Sequence, residues 1–162
     1  MSYPDPRYAG TTGEVSAVYR PGSQGPDLEI GAAVAVSYLA TGASTDGQFG
    51  LYRWEAGPQS GGAAPHFHRT MSESFFVVTG TVELYDGDRW IEARPGDFVH
   101  VPAGGVHGFR NQSAEPASML ILFAPGAPRE AYFEAIAERV AGRQYRDEEW
   151  TALCERHDNH FI

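Results

Sequence analysis

The chain has 162 residues, of which 42% are apolar and 20% are charged. We therefore expect one domain with its own core, which needs neither disulfides nor a structural metal. The 21 acidic and 12 basic residues give a formal net charge of -9, which argues against nucleic acid or an anionic membrane as a partner. All 12 basic residues are arginine, so lysine-based Schiff-base chemistry is excluded.

Cysteine usage and the N-terminal sequence bear on location. The single cysteine, Cys154, excludes an internal disulfide and zinc sites built from several thiolates. The first residues lack a basic start followed by an apolar stretch, and no run approaches the roughly 18 apolar residues of a membrane span. We therefore expect a cytoplasmic protein that does not bind a membrane.

Proline and glycine divide the rest of the chain into recognisable parts. Residues 1–27 are predicted to form an N-terminal arm, because breakers are too dense for a long element, although 14–19 is compatible with a short strand. Residues 28–125 contain about eight short extended runs, separated by turn signals at the spacing of an antiparallel sandwich or barrel. These runs are 30–39, 48–56, 73–79, 81–85, 89–93, 97–101, 106–110 and 117–124.

The last part, residues 126–162, is predicted to be a helical extension. Apolar residues recur at helical spacing over 129–142, and a second short helix is predicted over 147–156. We expect these helices to pack on the outside of the barrel. His157 and His160 lie in a polar tail, for which disorder is the expectation.

Four of the six histidines lie between residues 66 and 107. His66 and His68 are two positions apart, so on a strand both rings point to the same face, where they can share a metal ion. Glu73 has the opposite parity, which a turn over 69–72 can restore. His107 comes from a later strand and is expected to complete the site from across the sheet.

Two segments around these residues resemble the two motifs of the cupin superfamily. The first consists of Pro65-His66-Phe67-His68, Glu73 and Gly80. The second consists of Gly96, Pro102-Ala103-Gly104, His107 and Asn111. One departure is that Ser60 stands where the family has a glycine, with Gly61 and Gly62 beside it. The resemblance covers roughly residues 30–125.

The resemblance implies an all-β fold, a small antiparallel β-barrel of the cupin or jelly-roll type, with one or two C-terminal helices. It also implies that His66, His68, Glu73 and His107 are the ligands of one divalent transition-metal ion. Three imidazoles and a carboxylate leave coordination positions open for a substrate or O2. Such ligands suit Fe, Mn, Ni, Co or Zn, and the sequence does not choose among these ions.

Strand parity predicts which side chains face the interior. An aromatic and apolar chamber is expected around the metal, although an ordinary barrel core explains most of these positions equally well. Because Arg53 and Arg110 have outward parity, a flat or hydrophobic organic substrate is favoured over a sugar phosphate. The predicted pocket residues are Tyr52, Trp54, Phe75, Val77, Phe109, Met119, Ile121 and Phe123.

Two further residues have plausible chemistry but a plainer interpretation. His100 matches no ligand position, and a hydrogen-bonded structural role is favoured over one in the pocket. Cys154 lies on the second predicted helix, where a small buried apolar side chain is favoured over a nucleophile.

The resulting functional hypothesis is a metal-dependent cupin that cleaves an aromatic or enolic small molecule with O2, similar to the quercetinase-like dioxygenases. Glu73 is the expected catalytic base, because a carboxylate ligand can accept the proton of a substrate hydroxyl. Alternatives are a non-oxidative metal-dependent isomerase or polyketide cyclase, and a non-catalytic module that binds a small molecule.

Apolar side chains on the outward faces of the predicted strands require cover, from the C-terminal helices or from a second subunit. Small cupins commonly pair through their barrel faces, so the resemblance favours the second subunit. A homodimer is therefore expected. The outward-facing apolar residues are Phe76, Val78, Leu120 and Leu122.

Overall fold

The computed structural model describes residues 2–162, over which eleven strands and two helices follow one another. The elements are β1 Leu28–Ile30, β2 Val34–Ala40, β3 Gly50–Ala56, β4 Ala63–Phe67, β5 Ser72–Thr79, β6 Val82–Tyr85, β7 Trp90–Ala93, β8 Phe98–Val101, β9 His107–Arg110, β10 Ala117–Ala124, α1 Glu130–Val140, α2 Asp147–Arg156 and β11 His160–Phe161.

The strands form two antiparallel sheets that enclose the core. One sheet has the order β1-β2-β3-β10-β5-β8, and the other has the order β11-β4-β9-β6-β7. Alternation along β10 sets the inner face, since Met119, Ile121 and Phe123 are buried whereas Leu120 and Leu122 are half-buried. The prediction of an all-β barrel with C-terminal helices is confirmed.

Two strand predictions near the N-terminus are wrong in detail. The run predicted over 30–39 divides into β1 and β2 at Gly31, whose φ of +61° turns the chain. Residues 14–19 form no strand. Within the described chain no other strand pairs with them, and Val15 and Val18 face solvent.

Strand β4 is absent from the predicted set, as is the short C-terminal strand β11. The β4 sequence Ala-Ala-Pro-His-Phe lacks β-branched residues, and Pro65 has no N–H to donate to a ladder. The structure accommodates Pro65 at a register shift between Ala63 and His66, where β4 pairs with β9. The tertiary pairing therefore overrides weak local preference.

The helix predictions agree closely with α1 and α2, but the expected packing on the outside of the barrel is wrong for α1. Phe133 of α1 packs edge-on against Tyr52 and Trp54 of β3, with ring centroids 5.2 Å and 5.7 Å apart. The Tyr52 hydroxyl also donates to Glu130 Oε1 over 2.5 Å. Because Tyr52 and Trp54 face the interior, α1 closes one end of the barrel.

The expected disorder of the C-terminal tail is also wrong. His160 pairs with Phe67 and Phe161 pairs with His66, so β11 extends the five-stranded sheet beside β4. The His160 ring also stacks on that of Phe67 with centroids 5.1 Å apart. Composition predicts mobility for such a tail, but backbone pairing fixes it.

No helix within residues 2–162 is long and apolar enough to cross a membrane.

Replacing Phe133 with Ala tests how strongly α1 is held. Phe133 is 4% exposed, and removal of a buried phenylalanine side chain is expected to lower the free energy of unfolding by about 3–5 kcal/mol. Urea denaturation measures this change. Tyr19→Ala, at an exposed position, should alter it by less than about 0.5 kcal/mol. Equal effects of the two substitutions would contradict the packing of α1 described here.

Candidate metal centre

Four ionisable side chains converge inside the barrel. His66 lies on β4, His68 follows directly after β4, Glu73 lies on β5 and His107 lies on β9. All four are buried, and one potential donor atom of each lies within 4.8 Å of those of the others. The structure therefore brings together the complete set of residues predicted from the sequence as metal ligands.

Strand register explains how these four residues meet. His66 and His107 are direct partners in the β4–β9 pair, so their rings share one face, with centroids 4.4 Å apart. Glu73 comes from the opposite sheet, because residues 69–72 carry the chain across from β4 to β5. Its carboxylate therefore faces the three rings from the opposite wall.

Each of the three imidazoles is tied to the backbone through Nδ1. The distances from Nδ1 to a carbonyl oxygen are 2.8 Å for His66 with Ala64, 2.5 Å for His68 with Asp158, and 2.9 Å for His107 with Gly105. Since a carbonyl oxygen only accepts, Nδ1 must carry the proton. The Nε2 atoms of His68 and His107 are directed towards the Glu73 carboxylate.

The arrangement of Nε2 and carboxylate atoms fits a bound cation. Glu73 Oε2 lies 2.9 Å from His68 Nε2 and 2.7 Å from His107 Nε2. A ring that binds a metal ion through Nε2 presents a lone pair there, as the carboxylate oxygen does, so a cation among these atoms would satisfy both Nε2 atoms and the carboxylate at once. Three nitrogen donors and one oxygen donor suit a divalent transition metal.

The pKa values within the cluster shift in different directions. Burial lowers the pKa of His107, but its hydrogen bond with Glu73 outweighs that effect and raises the pKa overall. Burial lowers the pKa of His66 to about 4, so its ring is neutral at physiological pH, which is the form that binds metals. Burial alone would raise the pKa of Glu73, but its contacts with His107 and His68 outweigh that effect and hold the pKa well below its usual range. Glu73 is therefore a carboxylate.

A cavity of about 730 Å³ lies between the barrel and α1 and includes His66 and Glu73 in its wall. Four of the pocket residues predicted from strand parity lie along this wall, namely Trp54, Phe109, Ile121 and Phe123. The other four are buried in the core and are not among the residues of the wall, namely Tyr52, Phe75, Val77 and Met119.

Several residues of the cavity wall come from the C-terminal extension, which the sequence analysis did not place at the site. Arg129 and Asn159 are both buried and both line the cavity. The outward parity expected for Arg53 and Arg110 therefore does not extend to Arg129, for which the sequence analysis made no prediction. Strand parity could not reveal this residue, because Arg129 lies outside the strands, directly before α1.

Asp158 is a second contribution of the tail to the site. Its backbone carbonyl accepts from His68 Nδ1, and its carboxylate accepts from the backbone N–H groups of Arg69 and Thr70 over 2.8–3.0 Å. The residue has a left-handed φ of 57°, which aspartate tolerates better than most residues. Asp158 thus positions His68 and the loop that leads to Glu73.

The other histidines and the cysteine lie apart from the cluster. His100 is exposed, with Nδ1 2.9 Å from the Ser74 hydroxyl, which is the hydrogen-bonded structural role that we predicted. Cys154 is buried on α2, as expected for a small apolar side chain. His157 caps α2, and His160 lies in β11.

Comparison with known proteins identifies a family model that matches part of the chain. Residues 52–123 match the family model described as Cupin domain. Quercetin 2,3-dioxygenase of Bacillus subtilis (strain 168) is 32% identical to this chain over 104 residues, which are 64% of the chain and 30% of that protein. The chain thus spans less than a third of the length of this curated relative.

Solved structures share the fold. The polyketide cyclase RemF from Streptomyces resistomycificus superposes with a TM-score of 0.53 at 24% identity, over 67% of this chain and 78% of that one. A sugar phosphate isomerase of the cupin superfamily from Silicibacter pomeroyi gives a TM-score of 0.51 at 26% identity, over 57% and 59% of the two chains.

His107→Ala tests the metal centre directly. Loss of one of three imidazoles should strongly lower the metal content of the purified protein, measured by elemental analysis. The matched control is His100→Ala, which removes an exposed imidazole outside the cluster and should leave the metal content unchanged. Equal metal loss in the two variants would exclude this cluster as the binding site.

Asp158→Ala tests the positioning of His68 by the tail. We expect metal affinity to fall by about 10–100-fold, because alanine disfavours the left-handed φ and removes the carboxylate that holds residues 69 and 70, so the backbone carbonyl that orients the His68 ring shifts. Asp158→Asn should lower metal affinity less, because asparagine tolerates the left-handed φ and keeps one side-chain carbonyl oxygen. Competition with a chelator measures the affinities, and Asp88→Ala, at an exposed turn, is the control. Wild-type affinity in Asp158→Ala would contradict the proposed role.

The same variant has a defined pH dependence. Burial raises the pKa of Asp158, but hydrogen bonds from Thr70 and Arg69 outweigh that effect and lower the pKa overall. A carboxyl group with a lowered pKa in the folded state stabilises that state at neutral pH, and this contribution is lost as the pH falls through the folded pKa. The difference in unfolding free energy between wild type and Asp158→Ala should therefore shrink in acid.

Proposed function

We propose a metal-dependent enzymatic function for this chain, which belongs to the cupin superfamily: cleavage of an aromatic or enolic small molecule by O2. The observation that carries the proposal is the buried cluster of three histidines and Glu73, open on one side to a cavity of about 730 Å³. The likeness to a quercetin dioxygenase over 64% of the chain supports O2 as the co-substrate.

The proposed roles follow from the donor set. His66, His68 and His107 hold a divalent metal ion of the group Fe, Mn, Ni, Co or Zn, together with Glu73. When bound, the ion supplies a Lewis acid that favours the ionised form of a substrate hydroxyl. The backbone carbonyls on the three Nδ1 atoms keep the Nε2 lone pairs directed inward, so no ring has to reorient.

Glu73 is the proposed catalytic base. It lines the cavity, so a substrate hydroxyl can reach its carboxylate. The proton of that hydroxyl passes to a carboxylate oxygen, and the electron pair of the O–H bond remains on the substrate as an enolate or phenolate. The aromatic wall, which includes Trp54, Phe109 and Phe123, excludes water and supports a flat substrate.

Two alternatives remain in other functional classes. The fold likeness to the polyketide cyclase RemF favours a non-oxidative cyclase or isomerase as the second candidate, in which the same base removes a proton but O2 is not consumed. A non-catalytic module that binds a small molecule is the third. Oxygen uptake separates the first candidate from the others, and anaerobic turnover separates the second from the third.

We also propose that the protein is a homodimer. Phe76 of β5 and Phe98 of β8 are direct partners in the sheet, and they are 41% and 62% exposed. Because β8 is the edge of the six-stranded sheet, the two rings form an apolar patch beside an open edge. Such a patch supports a protein interface, since α1 packs elsewhere and does not cover it.

The proposed cytoplasmic location stays a prediction from cysteine usage. The single cysteine is free and buried on α2. A buried thiol without a disulfide partner is compatible with a reducing compartment.

Glu73→Gln tests the base. Glutamine keeps the size of the side chain and a carbonyl oxygen but cannot accept the proton, so turnover per bound metal should fall by at least about 100-fold. An oxygen electrode with a panel of flavonols, diketones and catechols provides the assay. Glu83→Gln is the matched control, because Glu83 on β6 pairs with Arg110 outside the cavity. Near wild-type turnover in metal-loaded Glu73→Gln would exclude Glu73 as the base.

Light scattering tests the dimer. At micromolar concentration we expect twice the 17.6 kDa mass of the chain, and Phe98→Asp should shift the particle towards the monomer by placing a charge in the patch. A wild-type particle of 17.6 kDa would refute the dimer.

A further inference from the structure

We propose that the cavity binds a carboxylate group of its ligand through Arg129 and Asn159, so that the substrate is an aromatic acid rather than a neutral compound. This inference rests on the proposed function only in taking the cavity as the substrate site. Both residues line the cavity in company with His66 and Glu73. The subsite lies on the side of the cavity that the C-terminal extension forms.

Arg129 is a buried cation at the start of α1. Its side chain is held in place, because Nη1 donates to the His157 carbonyl over 2.5 Å and Nη2 donates to Asn159 Oδ1 over 3.1 Å. The guanidinium carbon also lies 4.9 Å and 4.8 Å from the ring centroids of Phe123 and Tyr132. These contacts fix the guanidinium but do not neutralise its charge.

No carboxylate in the described part of the chain lies within ion-pair distance of Arg129. Arg129 is only 3% exposed, and a buried cation without a counter-charge is unfavourable. Burial accordingly lowers the pKa of the guanidinium, and Glu73 is the group that most opposes this effect.

Unused hydrogen-bond donors accompany the unpaired charge. Among residues 2–162, neither Arg129 Nε nor Asn159 Nδ2 has a hydrogen-bond partner, and both atoms are buried. The two donors belong to side chains that already touch, since Asn159 Oδ1 accepts from Arg129 Nη2. Trp54, also in the cavity wall, has a buried Nε1 without a partner in the same range. Buried donors are normally satisfied.

A carboxylate fits these features better than a phosphate. It supplies one negative charge for one buried cation. Both free donors lack accessible surface in this structure, so the two side chains must turn towards the ligand for its two oxygens to accept from them. The other arginine of the wall, Arg139, is exposed and stacks on Trp150 with its guanidinium carbon 4.2 Å from the ring centroid. A phosphate dianion would require a second buried cation, whereas the aromatic wall suits the body of an aromatic acid.

The test compares two probes of the same shape, 2-naphthoate and its neutral analogue 2-naphthamide. Their binding to the full chain is measured by calorimetry, in the metal-loaded protein and after removal of the metal by a chelator. We expect the acid to bind at least about 10-fold more tightly than the amide in both states, because a charge-assisted hydrogen bond is lost with the amide.

Arg129→Gln should abolish this preference for the acid. Arg53→Gln is the matched control, because Arg53 is half-buried with Nε unpartnered among the described residues, yet it lies outside the cavity wall. Arg129→Lys, which keeps the charge, should retain part of the preference even if the tail contacts weaken. Melting temperature and metal content show whether each variant is folded.

Three results would overturn the inference. The first is equal binding of the two probes by the wild type, and the second is an unchanged preference for the acid in folded Arg129→Gln. The third is a preference for the acid that appears only in the metal-loaded protein, because the carboxylate would then bind the ion. A preference that depends on Arg129 without oxygen uptake on any substrate would support the subsite and contradict the dioxygenase proposal. Oxygen uptake on neutral enols, together with equal binding of the acid and the amide, would support the dioxygenase proposal and contradict the carboxylate subsite.

Discussion

The hydrogen bonds from three imidazole Nδ1 atoms to backbone carbonyls are the constraint on which the rest of the site depends. They set the protonation of each ring and thereby the direction of its free lone pair. The carbonyls belong to Ala64 on β4, Gly105 in the turn before β9, and Asp158 in the tail. A cation site therefore exists only when three separate parts of the chain are folded together.

The C-terminal extension is consequently part of the site rather than an addition to the barrel. Helix α1 closes one end of the barrel through Phe133, and the tail that follows α2 returns to the sheet as β11. Between these contacts the extension contributes Arg129 and Asn159 to the cavity and a hydrogen bond to His68. The barrel supplies the four side chains of the candidate metal centre, and the extension encloses the space beside them.

The convergence of the four candidate metal ligands could be predicted, because the sequence signals for these residues lie close to them in the chain. Two residues that are two positions apart share a face of a strand, and the two motifs of the resemblance supply Glu73 and His107. The contacts of the extension could not be predicted in this way, because His68 and Asp158 are 90 positions apart and nothing in the sequence pattern of the tail indicates where it returns. Strand β4 was missed for a related reason, since pairing on both sides compensates for Pro65.

Strand parity predicted the inner face correctly but could not divide it between cavity and core. Val77 and Met119 have the same parity as neighbouring wall residues, yet they lie at a depth where facing side chains fill the barrel. Ile121 and Phe123, further along β10, lie along the cavity. The position of α1 decides where the open space is, and that position depends on tertiary contacts.

Long-range ¹H–¹⁵N correlation spectra of the zinc-loaded protein, labelled with ¹⁵N at histidine, test the central claim most directly. Such spectra identify which ring nitrogen carries the proton. The account predicts that His66, His68 and His107 are all protonated at Nδ1, with the metal bound at Nε2. Protonation at Nε2 in any one of these three rings would contradict it.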